Sequence, residues 1–218
     1  GNKNMKYDFD KITPRRGTNS YKWDSTDDKD VLPMWVADMD FQTAPCIINA
    51  LKKRVDHGIF GYTRVPEEYY EAVISWFGRR HNWQPEREWF IYTSGVVPAL
   101  SAIIKALAKE GDRILTLTPV YNCFFSSIRN NGCEMVSNSL IYNKEELRYE
   151  IDFDDLERKL KHERARLMLL CNPHNPGGRV WTRDELTRVA ELCRKYGVRV
   201  VSDEIPRGLK MYLTHISH

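Results

Sequence analysis

The sequence lacks several features that would place it in other protein classes. Its 218 residues contain no apolar run of about 18 residues, so a membrane-spanning helix is not expected. The first residues also lack the apolar stretch of a secretory signal. The five cysteines are an odd number without the spacing of a disulfide framework, which favours a reducing, cytoplasmic location. With 33 basic against 30 acidic residues, the chain is not expected to bind nucleic acid.

Two further absences narrow the chemistry. No Gly-x-Gly-x-x-Gly segment follows a predicted strand and no P-loop Gly-Lys-Ser/Thr occurs, which excludes a nucleotide-binding Rossmann domain. Cys171 and His174 are conceivable metal ligands, but no second pair has a matching spacing. We therefore predict no metal site.

From about residue 88 onward, apolar strand patterns alternate with amphipathic helix patterns. This alternation indicates βαβ units, so we predict an α/β fold: a three-layer αβα arrangement around a mostly parallel sheet. The predicted strands are Glu88–Thr93, Arg113–Leu117, Glu134–Ser137, Ala165–Leu170 and, as the last, Val198–Ser202. The predicted helices are 45–56, one opening near Pro66, Val96–Lys109, Asn122–Asn130, Asp154–His162 and Thr182–Tyr196.

The segment after the first predicted strand has the features of an anion site. In open α/β sheets, ligands bind beyond the carboxyl ends of the strands. Thr93-Ser-Gly-Val-Val-Pro98 lies there and opens a helix, whose free N–H groups can bind phosphate while Gly95 permits close approach. A simple N-cap by Ser94 is the alternative.

Three later strands end in residues that suit a flat, charged ligand. Tyr121 can stack on a planar ring, or it packs on the core. Asn175, in a loop dense in Asn, Pro and Gly, can donate to a ligand oxygen, or the loop is a plain turn. Asp203 ends an apolar strand and needs a partner, which is a ring nitrogen, a salt bridge or a helix cap. Together with the phosphate cradle, this set matches the demands of pyridoxal 5′-phosphate.

The same motifs, taken in order, resemble a known enzyme family. The chain is similar to the fold-type I, pyridoxal-phosphate-dependent aminotransferase class I/II superfamily, and within it to the bacterial cystathionine β-lyase (C-S lyase) branch, the MalY/PatB group. The resemblance runs from about Tyr7 to Ile205. The residues that carry it are Trp35–Phe41, Thr43–Pro45, His57–Tyr62, Tyr92–Pro98, Thr118–Tyr121, Cys171–Gly177, Val180–Trp181 and Val201–Ile205.

This resemblance implies a role for each candidate residue. Gly95, Val96 and Val97 would bind the cofactor phosphate, and Tyr121 would stack on its ring. Asn175 would hydrogen-bond the phenolic oxygen, and Asp203 would pair with the ring nitrogen. Tyr62 would reach the phosphate in a neighbouring subunit, which implies a homodimer. Residues 38–41 would lie near the entrance for a small amino-acid substrate.

The implied activity is β-elimination of a thiol from a sulfur amino acid. Transamination is the alternative within the family, and a non-enzymatic cofactor-binding or partner module is the alternative outside catalysis. The resemblance also implies three regions: an N-terminal segment (1–45) that contributes to the small domain and active-site entrance, a partial cofactor-binding large domain (46–205) and a divergent tail (206–218).

The chain departs from the family pattern after Asp203. Family enzymes are almost twice as long, and their cofactor-binding lysine lies in a Ser-x-x-Lys segment that this sequence does not contain. Lys210 follows Asp203 by only seven residues, too early to replace it. The arginine that holds the substrate carboxylate is also missing, so we name no catalytic residue. We expect a truncated C-S lyase that is inactive alone, whether it is a truncated gene product, a fragment or a partial record of a longer molecule.

Overall fold

The computed structural model describes residues 7–205 and the backbone of residues 211–214. Lys210 and most of the predicted tail (206–218) therefore lie outside the described residues. Contacts within the chain divide it into two compact units, and the boundary along the sequence falls between Tyr69 and Tyr70. The predicted regions 1–45 and 46–205 stay predictions.

The first unit is irregular up to α1 (Pro45–His57), which opens with proline in its first turn, as predicted. Asp40 organises the irregular part. Its carboxylate accepts hydrogen bonds from the Lys22 ammonium at 2.8 Å, the Trp23 indole at 2.7 Å and the Arg15 guanidinium at 2.6 Å. These donors hold the pKa of Asp40 well below its usual range, and the hydrogen bond from Lys22 has the largest effect. The network thereby fixes the Asp38–Phe41 segment.

The second unit is built on a five-stranded sheet in the order β2-β1-β5-β6-β7. The first four strands of that order are parallel, and β7 pairs antiparallel with β6. The strands are β1 (Arg113–Thr118), β2 (Glu134–Ser139), β5 (Ala165–Cys171), β6 (Arg199–Asp203) and β7 (Met211–Thr214), and a separate hairpin is formed by β3 (Ile141–Asn143) and β4 (Arg148–Glu150). The helices are α2 (Glu67–His81), which begins at the end of the first unit, α3 (Val96–Leu107), α4 (Cys123–Asn130), α5 (Phe153–Leu160) and α6 (Arg183–Lys195), with a short 3₁₀ turn at Arg87–Trp89.

Helices cover the sheet on both faces, which confirms the predicted three-layer αβα fold. Side chains of α3 and α4 pack on one face with Ile114, Leu167, Leu169 and Val201. Side chains of α5 and α6 pack on the other face with alternate residues of the same strands. Because the central strands are covered on both sides, apolar residues of these strands face both ways and do not simply alternate with polar ones.

One predicted strand is wrong. Residues 88–93 belong to neither of the two sheets that the described residues form: Glu88 and Trp89 lie in the 3₁₀ turn, and Phe90 after it is extended. Ile91 in this segment is 88% exposed. An apolar pattern predicts an extended conformation, but a strand also needs a hydrogen-bonded neighbour, which this segment does not find in either sheet.

Two features were not anticipated from the sequence. The predicted strand Val198–Ser202 is present as β6, but the prediction that it is the last strand is wrong, because β7 follows it and pairs with it. The hairpin of β3 and β4 is also additional. Both are short elements whose formation depends on pairing partners rather than on a strong local pattern.

Candidate functional site

The candidate site lies where β1, β5 and β6 end and α3 begins. Asp203 is the last residue of β6, and Cys171, the last residue of β5, is its register partner. Side chains alternate along a strand, so Asp203 lies on the same face as Val201, the face that α3 covers. The N-terminus of α3 and the Asp203 carboxylate therefore belong to one face of the sheet, as a shared ligand requires.

The N-terminus of α3 is an uncapped helix end. Gly95 is the N-cap residue, and among the residues that the structure describes no side-chain hydrogen bond caps the helix there. The first N–H groups of a helix have no partner within it, so those of Val96 and Val97 remain able to bind an anion. The alternative that Ser94 acts as an N-cap is wrong. A Cβ added at Gly95 would meet only Pro98 Cδ at 3.6 Å, so the protein leaves open space here.

Tyr121 follows β1 and is 38% exposed, so its ring is available to a ligand. A hydrogen bond with the Cys123 thiol, followed by burial and the charge of Asp203, raises the pKa of the Tyr121 phenol. The phenol therefore stays neutral at physiological pH.

Asn175 lies in the loop that follows β5. Its side chain is exposed and forms no hydrogen bond within the described part of the chain, so the amide is available. The Cys171 thiol stabilises the loop by accepting a hydrogen bond from the Asn175 backbone N–H at 3.4 Å. The buried Trp181 donates its indole N–H to the Cys171 carbonyl at 3.0 Å. The exposed amide is thus carried by a well-anchored turn.

Asp203 is the most unusual group in the site. It is 4% exposed, and no described cation forms an ion pair with it. Its carboxylate accepts one hydrogen bond from the Ile205 N–H at 3.1 Å. Burial raises the pKa of Asp203, because the charged form loses its hydration without a compensating partner. The salt bridge and the helix cap that the sequence left open are not found within the described residues. A cationic ring nitrogen would supply the missing partner.

The chain belongs to the aminotransferase class I and II family. The model of that family matches residues 29–208. This membership accounts for the order of the site segments along the chain.

Several named relatives support the same family. The chain is 45% identical over 208 residues to cystathionine beta-lyase PatB of Bacillus subtilis, covering 94% of this chain and 53% of that protein. It is 38% identical to the protein MalY of Escherichia coli, covering 91% and 52%. The solved structure of a pyridoxal-phosphate-bound C-S lyase from Staphylococcus hominis superposes with a TM-score of 0.83 at 36% identity, covering 91% and 51%. The chain spans about half the length of the curated relatives it matches.

The predicted family residues are divided between the two units. The N-terminus of α3, Tyr121, Asn175 and Asp203 all belong to the second unit. Tyr62 belongs to the first unit, where its side chain is fully exposed. The roles of all these residues in cofactor binding stay predictions.

Sequence reasoning missed the part that His174 and Cys171 play inside the loop. The sequence suggests no role for either side chain other than metal binding. His174 is 3% exposed, and its Nε2 lies 2.8 Å from the Pro119 carbonyl oxygen. The density of Asn, Pro and Cys around it was the available signal. Between residues 7 and 205, no three His, Cys, Asp or Glu side chains cluster as a metal site would. Nor does any helix there have the length and apolarity to cross a membrane.

Proposed function

We propose that this chain is the cofactor-binding part of a pyridoxal-phosphate-dependent C-S β-lyase of the cystathionine β-lyase type. The observation that carries the proposal is the buried Asp203 carboxylate, which has no ion-pair partner among the described residues and lies on the same sheet face as the α3 N-terminus. Within residues 7–205 neither group has a partner of opposite charge, and pyridoxal phosphate carries a phosphate and a basic ring nitrogen. The 45% identity to a cystathionine beta-lyase favours this branch of the family.

Each site residue then has a defined task. The N–H groups of Val96 and Val97 bind the phosphate, with Gly95 leaving room for it. Tyr121 stacks on the ring, and the Asn175 amide donates to the phenolic oxygen. Asp203 keeps a proton on the ring nitrogen. When bound, the cofactor supplies an electron-withdrawing ring that stabilises negative charge on the α-carbon of an amino acid.

The proposed substrates are small sulfur amino acids, from which the complete enzyme releases a thiol. Transamination is the second candidate, because the matching family model is that of aminotransferases. The sequence contains no Ser-x-x-Lys segment, so we expect this chain by itself to bind the cofactor without turning over substrate. The non-enzymatic cofactor-binding or partner module stays the alternative outside catalysis.

The proposed assembly is a homodimer. Helix α1 has no buried residue, and its apolar side chains Ile47, Leu51 and Val55 are 51%, 62% and 62% exposed. A second copy covering this stripe would remove apolar surface from water. Light scattering after size exclusion tests this, with Leu51→Glu expected to give monomers. All five cysteines are free, which supports the proposed cytoplasmic location.

The direct test of cofactor binding uses pyridoxamine 5′-phosphate. This compound keeps the phosphate, ring, phenolic oxygen and ring nitrogen but has no aldehyde, so it cannot react with surface lysines. We expect calorimetric titration to show one site that binds it at least about tenfold more tightly than pyridoxamine without phosphate.

Matched variants locate that site. Tyr121→Ala should weaken binding by about five- to tenfold through loss of stacking, whereas Tyr142→Ala, in the separate β3 hairpin, should not. Equal affinity for the two ligands, or equal effects of the two tyrosine variants, would overturn the proposal.

A further inference from the structure

Cys171 is a buried thiol at the centre of the proposed site. It is the last residue of β5, is 3% exposed and faces its register partner Asp203 on β6. The Asn172 N–H donates to the Asp203 carbonyl oxygen at 2.9 Å, so the two strands remain paired to their ends. Cys171 is therefore fixed in position relative to Asp203 by the sheet.

The Cys171 side chain also closes the turn that carries Asn175. Its Sγ lies 3.3 Å from the Pro173 carbonyl oxygen, to which the thiol donates. The same sulfur accepts from the Asn175 N–H at 3.4 Å. The Cys171 side chain thus contacts the turn at two places, the Pro173 carbonyl and the Asn175 backbone N–H.

The chemistry of the thiol suits this structural task rather than nucleophilic attack. Burial raises the pKa of Cys171, and the nearby Asp203 charge adds to the effect. The thiol accordingly stays protonated and keeps the S–H that donates to Pro173. A thiolate could accept from Asn175 but could not donate, so the turn would lose one of its two contacts.

We propose that Cys171 is a positioning residue. By bonding the backbone of Asn175, it holds the side-chain amide of that residue at a fixed place relative to the Asp203 carboxylate. The inference rests on the proposed function, in which these side chains bind the phenolic oxygen and the nitrogen of a single ring. The thiol contacts the turn at Pro173 and Asn175, so it would act on a bound ring through Asn175. Its contribution should therefore vanish when the Asn175 side chain is removed.

The test is a double-mutant cycle on the affinity for pyridoxamine 5′-phosphate. Cys171→Ala should weaken binding by about five- to tenfold, the loss expected for one misplaced hydrogen bond. In the Asn175→Ala background, the same substitution should cause no further loss. A merely structural role would weaken binding in both backgrounds. Cys171→Ser, which keeps a donor and an acceptor, should restore part of the affinity.

Cys193→Ala is the matched control. Cys193 is an equally buried thiol, 0% exposed, but it lies on α6 in the core of the opposite sheet face. Its removal leaves a similar cavity without touching the Asn175 turn. We expect Cys193→Ala to lower the melting temperature and to leave ligand affinity unchanged.

The outcomes separate the inference from the proposed function. If the wild type binds pyridoxamine 5′-phosphate no better than pyridoxamine, the proposed function fails and the inference falls with it. If the wild type binds selectively but Cys171→Ala acts equally in both backgrounds, only the inference is overturned. Hydrogen exchange at the Asn175 backbone N–H keeps the inference testable if a variant folds poorly. This N–H should be protected from exchange in the wild type and in Cys171→Ser. Exchange at the rate of a free loop in either protein would overturn the inference.

Discussion

The imidazole of His174 joins the loop that carries Asn175 to the loop that carries Tyr121, because its Nε2 lies 2.8 Å from the Pro119 carbonyl oxygen. A carbonyl oxygen only accepts, so Nε2 carries the proton. The ring is 3% exposed and packs edge-on against Trp181, with ring centroids 5.4 Å apart. The two loops thus share a single buried hydrogen bond.

This contact makes the stability of the second unit depend on pH. Burial lowers the pKa of His174 below its usual 6.5, so the folded chain keeps the ring neutral. The stabilisation is complete above the unfolded-state pKa and is lost as the pH falls toward the lowered value. Between about pH 7 and 5, urea unfolding should show a larger loss of stability for the wild type than for His174→Gln.

The exposed His57→Gln provides the control for that measurement. It makes the same chemical change at an exposed position of the first unit. At about pH 7, His174→Gln should be less stable than the wild type by about 1–2 kcal/mol, because the Pro119 carbonyl loses its well-placed donor. Parallel curves for the wild type and His174→Gln would show that His174 does not titrate with folding.

A second pH effect has its origin in the contact between α5 and α6. The Glu157 carboxylate accepts from the Lys195 ammonium at 2.8 Å and from the Tyr196 hydroxyl at 2.7 Å. These hydrogen bonds, Lys195 first, lower the pKa of Glu157 to about 2. The contribution of this group to stability is therefore present at neutral pH and lost as the pH falls toward 2.

Glu157→Gln should accordingly be less stable than the wild type at neutral pH, and the difference should shrink as the solution is acidified. Urea unfolding at several pH values measures this. Glu191→Gln, an exposed substitution on α6, should shift stability little at any pH. A difference for Glu157→Gln that is independent of pH would point to packing rather than charge.

Local sequence determined most of the fold, because helix caps and apolar periodicity act over a few residues. The capping box between Thr182 and Glu185 begins α6 where the pattern placed it. Residues 88–93 show the limit, since their pattern describes an extended chain but cannot supply a neighbouring strand. The β7 strand, likewise, exists only through its pairing with β6.

The site was predictable to the extent that strand ends meet at one edge of a sheet. This rule brought Tyr121, Asn175 and Asp203 to a common region without any knowledge of side-chain contacts. It could not show that the Cys171 thiol turns back onto its own loop. Spacing along the chain gives the position of a sulfur but not the direction of its hydrogen bonds, which only the folded turn defines.

Asp203 should reduce the stability of the ligand-free chain. Its ionisation costs free energy above the raised pKa, and that cost disappears as the pH falls through this pKa toward the usual 3.8. Asp203→Asn removes the buried charge. We expect the variant to be more stable than the wild type by about 1 kcal/mol at neutral pH and to bind pyridoxamine 5′-phosphate more weakly.

Asp155→Asn is the control of opposite sign. Burial alone would raise the pKa of Asp155, but hydrogen bonds from Lys159 and Asn138 outweigh it, and the pKa is lowered. This carboxylate is stabilised by its partners, so its neutralisation should destabilise the chain. Thermal melting of both variants should move in opposite directions. A loss of stability in Asp203→Asn would show that its carboxylate is already compensated without a ligand.

Substitution of Gly95 tests whether glycine is needed at this position for folding or for phosphate binding. Its φ of 169° is extended backbone, and an added Cβ would meet only Pro98 Cδ at 3.6 Å. Neither the backbone nor the packing therefore demands glycine. Gly95→Ala should leave the melting temperature unchanged, while its methyl group obstructs the approach of phosphate to the α3 N–H groups. We expect affinity for pyridoxamine 5′-phosphate to fall by about tenfold.

Two comparisons decide the cause of that loss. Affinity for pyridoxamine without phosphate should not change in Gly95→Ala, because the obstruction concerns the phosphate alone. Gly111→Ala should show the reverse behaviour: its φ of +78° is left-handed, so alanine there should lower stability by about 1 kcal/mol without affecting phosphate selectivity. If Gly95→Ala weakened both ligands equally, the phosphate would have to bind elsewhere than at the α3 N-terminus.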